Sequence, residues 1–128
     1  MLILPPKQAN RFRVEFLLQG KNIDELSMQV VQVDPIRYTP KSKVPVLTTV
    51  FEDDIQNRVL KALTSLWDKR LCIKLSVLDG DDNAMMRWTF DDGLMSAFTH
   101  GPFDYSLSGA MLLQSEFTCG ALDIKVLR

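Results

Sequence analysis

A mainly β domain is the fold class the sequence predicts, a β-sandwich or partly open barrel with one amphipathic helix packed against it. Three observations carry that expectation. Several short segments alternate apolar and polar residues, the period of a strand with one buried face. One stretch alone has helical periodicity. The chain has 128 residues, 46% of them hydrophobic, and no linker or repeat, so residues 1–128 read as a single domain.

The elements follow in order. In Arg11–Leu18, Phe12, Val14, Phe16 and Leu18 alternate with their neighbours, and Gln19-Gly20-Lys21-Asn22 supplies turn chemistry. Leu26–Val33 reads as a second strand whose phase switches between Val30 and Val31, which suggests either burial on both faces or a β-bulge, and Asp34-Pro35 ends it. Tyr38–Pro45 holds two prolines and two lysines and reads as an exposed loop or arm. Val46–Phe51 is rich in β-branched residues and reads as a strand. In Ile55–Lys69 the period changes. Ile55, Val59, Leu63, Leu66 and Trp67 form one stripe that should be core, with Asp53 as N-cap and Gln56 completing a capping box. Leu71–Phe90 reads as a hairpin across Asp79–Asn83. Asp91–Gly109 reads as irregular, with Asp92-Gly93 and Gly101-Pro102 as breakers. Met111–Thr118 and Ala121–Leu127 read as a second hairpin across Cys119-Gly120. The sum is about seven strands and one helix, enough for two layers around one core.

Composition narrows the function. Fifteen Lys+Arg against sixteen Asp+Glu give a formal charge of −1, which argues against binding nucleic acid by bulk electrostatics. The longest apolar runs, Met1–Leu4 and Ala110–Leu113, have four residues against the roughly 20 of a spanning helix, so no membrane partner is expected. The start lacks the basic and long apolar regions of a secretory signal. Cys72 and Cys119 sit in no CxxC spacing and are expected to be free thiols in a reducing cytoplasm.

No chemical constellation stands out. Asp79-x-Asp81-x-Asn83 opens like a calcium loop, but Ala84 replaces the glycine at the sixth position and Phe90 the carboxylate at the twelfth. His100 is the only histidine; Ser96 and Ser106 lie near it but in no nucleophile elbow. A small β-barrel hydrolase using His100 and a carboxylate is the weakest alternative. No P-loop or dinucleotide fingerprint is present, and no cofactor or metal is expected. Such a chain is expected to be a structural or binding unit rather than an enzyme.

The order of segments resembles the tail tube proteins of contractile-tailed bacteriophages. The resemblance spans residues 10–127. It is carried by Asn10-Arg11-Phe12-Arg13-Val14-Glu15-Phe16 and by Met28-Gln29-Val30-Val31-Gln32-Val33-Asp34-Pro35. It continues through the Tyr38–Pro45 loop and the acidic entry to the lone helix. Leu75-Ser76-Val77-Leu78-Asp79-Gly80 leading into Met86-Arg87-Trp88-Thr89-Phe90, then Pro102-Phe103-Asp104-Tyr105-Ser106 before two closing strands, complete it. Tube-initiator proteins and the Hcp-type rings of type VI secretion are similar and stand as alternatives.

The resemblance implies hexameric rings stacked into a hollow tube, with a sheath outside and baseplate and neck proteins at the ends. It implies DNA passing through the bore without specific binding, and a place in the virion after assembly in the host cytoplasm. Physics fits: exposed strand edges pair with other copies, cyclic symmetry closes a ring, and head-to-tail stacking makes a filament. Tyr38, Lys41, Lys43 and Pro45 are the candidate inter-subunit arm. A bore wall must not hold phosphates, so Asp79, Asp81, Asp82, Glu116 and Asp123 are the candidate lining residues.

Overall fold

The computed structural model describes residues 7–37 and 44–127. Ten elements follow in order: β1 Phe12–Leu18, β2 Lys21–Asn22, α1 Asp24–Ser27, β3 Val30–Val33, β4 Val46–Glu52, α2 Arg58–Thr64, β5 Arg70–Leu78, β6 Ala84–His100, β7 Leu112–Thr118 and β8 Ala121–Val126. All the strand pairs are antiparallel, in the order β2-β1-β5-β6-β7-β4-β3, with β8 added to β6.

The sheet folds over on itself. β1 is not a neighbour of β4 or β7, yet the ring of Phe16 lies 5.6 Å from Phe51 and 5.9 Å from Phe117. The first layer is therefore β1, β5, the front half of β6 and β8. The second is the back half of β6, then β7, β4 and β3. Val14, Phe16, Ile73, Leu75 and Phe90 from one layer meet Leu47, Phe51, Leu113 and Phe117 from the other in one core. Val59 and Leu63 of α2, Leu66 just beyond it and Leu26 of α1 complete it.

β6 is the hinge of this arrangement. The sequence reading placed a breaker at Asp92-Gly93, and the strand instead runs through it for 17 residues. Asp92 has φ 58 there, and a Cβ on Gly93 would stand 3.2 Å from the Leu71 carbonyl, so Gly93 permits the close approach. The pairing with β5 slips between Leu71 and Ile73 at the same place. This bulge turns β6 from one layer into the other.

Further elements differ from those expected. β7 and β8 are not a hairpin, because both run antiparallel to β6 and the register gives no pairing between them. Cys119-Gly120 is a bend in one long path beside β6. The segment Leu26–Val33 opens with the turn of α1 rather than a strand, and only Val30–Val33 is extended. The long helix is short: Asn57 sits at φ 57, so regular helix starts at Arg58, and Ile55 lies fully exposed before it. Asp53 does not cap it. Asp54 accepts the Arg58 backbone N–H at 2.9 Å instead, and its carboxylate pairs with the Arg58 side chain. Trp67 is 44% exposed, outside the core, with its ring 5.6 Å from Phe98.

Candidate assembly interface

The sheet has open margins, and the hydrogen-bond phase says which groups they present. In an antiparallel ladder, residues whose N–H and C=O face one neighbour alternate with residues that face the other way. Leu127 N–H donates to the Met85 carbonyl at 2.9 Å, and the register from Met86↔Val126 to Asp91↔Ala121 has no slip. Asp123 and Lys125 therefore turn their backbone toward β6. Leu122, Ile124 and Val126 turn theirs outward, where no described strand pairs with β8.

The other margin is β3. Asp34 N–H donates to Thr48 O and Glu52 N–H to Gln29 O, both at 3.0 Å. Val30 and Val33 then face outward. This edge is shorter, and its register shifts between Val30 and Gln32. Between β3 and the start of β1 the sandwich is open. The opening is a groove of about 890 Å³, with Phe12, Val30, Val33, Ile36, Val77 and Trp88 on its walls.

The solvent faces of the two layers differ. Direct cross-strand partners share a face. Arg13↔Ser76↔Arg87↔Lys125 form one rung of the first layer, and Glu15↔Lys74↔Thr89↔Asp123 the next. Arg87 Nε donates to the buried Ser76 hydroxyl at 3.1 Å. The second layer presents Thr48, Gln114, Glu116 and Thr99 from the same kind of pairing, without a lysine or arginine on β4, β7 or the back half of β6.

The acidic lining candidates thus fall on separate surfaces. Asp123 is on the first layer and Glu116 on the second, where Ser96 Oγ donates to the Glu116 carbonyl oxygen. Asp79, Asp81 and Asp82 are in the β5–β6 turn. There the Asp79 carboxylate accepts the backbone N–H of Asp81 at 2.8 Å and of Asn83 at 2.9 Å, and Asp82 lies 3.7 Å from Arg11. The arm candidates Tyr38, Lys41 and Lys43 lie outside the described residues. Pro45 is half-buried, and its carbonyl accepts the Cys119 N–H at 2.8 Å, tying the end of that segment to the β7–β8 bend.

His100 has a partner that sequence spacing could not reveal. Its Nε2 lies 2.9 Å from Asp53 Oδ2, 47 residues away. The Asp53 side chain is 9% exposed, and its Oδ1 has no hydrogen-bond partner among the described residues. Asp53 N–H donates to Met111 O at 2.8 Å, and the Phe103 ring packs edge-on to His100 at 5.3 Å. The two serines near it in sequence bond elsewhere: Ser96 to Glu116 O and Ser106 to Asp104. His100 lines neither the groove nor a smaller pocket of about 140 Å³ beside Arg58. This pair anchors the β6–β7 loop rather than forming a nucleophilic constellation.

Both thiols are free in this chain. Burial, with Asp91 nearby, pushes Cys119 up to about 11, and burial with a hydrogen bond donated by the thiol to the Asp91 carboxylate raises Cys72. Neither is a thiolate nucleophile near neutral pH.

No protein-family model and no curated protein matches the sequence. Solved structures match the fold over nearly its whole length. A chain of the anti-feeding prophage cap, which terminates that tube, superposes with TM-score 0.77 at 11% identity, covering 98% of this chain and 95% of that one. A chain of the sheath–tube complex of an extracellular contractile injection system, PVC, in the extended state gives 0.74 at 12%, covering 95% and 93%. Hcp1 from Salmonella typhimurium gives 0.60 at 14%, covering 91% and 87%. The chain has the fold of contractile-injection tube and terminator proteins and of Hcp.

Proposed function

We propose that this chain is a non-enzymatic structural subunit that closes into hexameric rings, which stack into the inner tube of a contractile tail. The observation that carries this reading is the β8 edge, unpaired by any described strand, with the backbone groups of Leu122, Ile124 and Val126 turned outward, in a fold shared with tube proteins. A neighbour's strand on that edge satisfies these groups, and a cyclic array leaves none over. The sheath surrounds the tube, baseplate and neck proteins hold its ends, and DNA moves through the bore unbound. The chain then resides in the virion tail after assembly in the host cytoplasm. Tyr38–Pro45 is the arm that reaches a neighbouring subunit. Glu116 is the lining candidate best suited to a wall that must not hold phosphates, because its face carries no cation on β4, β7 or the back half of β6. Asp123 shares its face with Arg13, Lys74, Arg87 and Lys125.

Negative-stain microscopy of the purified protein tests the reading, paired with Ile124→Pro. Proline removes only the outward donor at that position and is tolerated on a strand edge. Rings and tubes in the parent, and folded monomers in the variant, are expected. A parent that stays monomeric at every concentration, with virion components present, contradicts it.

A terminator or Hcp-like ring is the second reading. It is favoured by the 0.77 superposition on the tube-terminating cap and by the same score on a sheath/tube terminator. Single rings that never lengthen into tubes would select it.

A further inference from the structure

One buried polar contact joins the end of β6 to the end of β4. The Asp53 side chain is 9% exposed, and its Oδ2 is bound to His100 Nε2 at 2.9 Å. Its Oδ1 is buried and has no hydrogen-bond partner among the described residues. No lysine or arginine among them pairs with this carboxylate, and Arg58 is taken by Asp54. A buried carboxylate is costly unless a counter-charge meets it. A neutral imidazole offers an N–H and no charge. An imidazolium offers both, and the bond then joins two ions. His100 is the only histidine in the sequence, and histidine is the side chain that changes charge between about pH 5 and 8.

The β6–β7 loop hangs on this contact from both ends. It leaves β6 at Gly101, whose N–H donates to Leu112 O at 3.1 Å. It returns at Met111, whose carbonyl accepts the Asp53 N–H at 2.8 Å. The Phe103 ring centre lies 5.3 Å from the imidazole. Farther out the loop carries Tyr105, fully exposed, and Leu107. Whatever fixes its base sets how firmly these side chains are presented.

Other charges near the pair are engaged or turned to solvent. Beside Asp53 in the chain, Glu52 is exposed and Asp54 is bound to Arg58 of α2. In the loop, the Asp104 carboxylate accepts the Ser106 N–H at 2.9 Å and its hydroxyl at 2.8 Å. On β7, Glu116 is exposed, whereas Leu113, the strand partner of His100, is buried. Lys61 of α2 is exposed, as are Asp68 and Lys69 beside Trp67, whose ring meets Phe98. The imidazole is therefore the one group in position to answer the Asp53 charge.

We propose that Asp53 and His100 form a pH-operated clasp on the β6–β7 loop, closed when the imidazole is protonated and slackened when it is not. The clasp is independent of the tube reading. Its hold is full on the acid side of the imidazole titration and weakens as the proton leaves.

Amide hydrogen exchange of the dilute full chain at about pH 5.5 and about pH 8 tests it. After correction for intrinsic exchange, the Asp53 and Gly101 amides should be about fivefold better protected at the lower pH, as a stronger charge-assisted bond requires. The Leu78 amide, bound to Arg11 O in the other layer, is the reference and should not change. His100→Gln keeps an N–H donor without a titratable proton, so both amides should stay at the less protected level at either pH. A difference that survives in His100→Gln overturns the proposal. In the parent chain, NMR should show the Phe103 ring resonances moving in the same transition as the imidazole. An imidazole that titrates while Phe103 and both amides stay unchanged overturns it without any variant.

Discussion

The two margins of the sandwich are built differently. β8 is six residues in unbroken register with β6, and its outward groups repeat at every second residue. β3 is four residues with a slip in its pairing. A regular edge is a template for another strand, whereas a short bulged edge is blunted against pairing. The same contrast runs through the layers behind them. The first layer wears charge on its solvent face; the second is mostly uncharged and buries the Thr49 and Ser115 hydroxyls against each other at 2.7 Å. One molecule thus carries a long regular margin and a short interrupted one, and the sequence of strand pairs decides which is which.

The strongest way to break that arrangement is to loosen what clamps the layers together. Phe16 of the first layer meets Phe51 and Phe117 of the second, all fully buried. Phe117→Ala should cost about 3–5 kcal/mol in denaturant unfolding and abolish assembly with the fold. Next comes the hydroxyl pair. Thr49→Val alone leaves Ser115 Oγ buried and unpaired, and should cost about 1–3 kcal/mol. Thr49→Val with Ser115→Val should recover most of that loss, a coupling that a double-mutant cycle reads directly. Trp67→Ala should cost about 0.5–1.5 kcal/mol, the worth of its aromatic contact with Phe98, because the ring is half exposed. A loss as large as that of Phe117→Ala would return Trp67 to the core.

The smallest effect is chemical. With its folded value raised to about 11, Cys119 keeps its proton in the native state while the unfolded chain releases one near its ordinary value. The contribution to stability is whole below about pH 9 and is lost as pH rises toward 11. Alkylation at pH 8 should label Cys119 far more slowly in native than in denatured protein, by mass spectrometry. Equal rates would contradict its burial.

Much of the fold could be read from residues alone. Alternation in Phe12–Leu18, Val46–Glu52 and Arg70–Leu78 is local physics, and the strands stand where it says. The departures share one cause. Asp92-Gly93, Asn57 and Cys119-Gly120 are all turn-forming residues, and such residues report that the chain bends, not by how much. At Asp92-Gly93 the bend is a bulge inside one strand; at Asn57 it delays a helix; at Cys119-Gly120 it leaves the direction unchanged. The candidate edge is legible to the same degree. Alternation in Ala121–Val126 puts Leu122, Ile124 and Val126 inward; Leu122 and Ile124 are partly covered but Val126 is 73% exposed, and only the register with β6 says which amides face out. The bond from His100 to Asp53 joins two strand ends that no periodicity links.

Amide hydrogen exchange along β8, followed residue by residue before and after assembly, tests the central claim most directly. In dilute monomer, Leu122, Ile124 and Val126 should exchange fast while Asp123 and Lys125 are protected; on assembly the fast set should slow to match. Protection of all five in the monomer, or a fast set that assembly leaves fast, would contradict it.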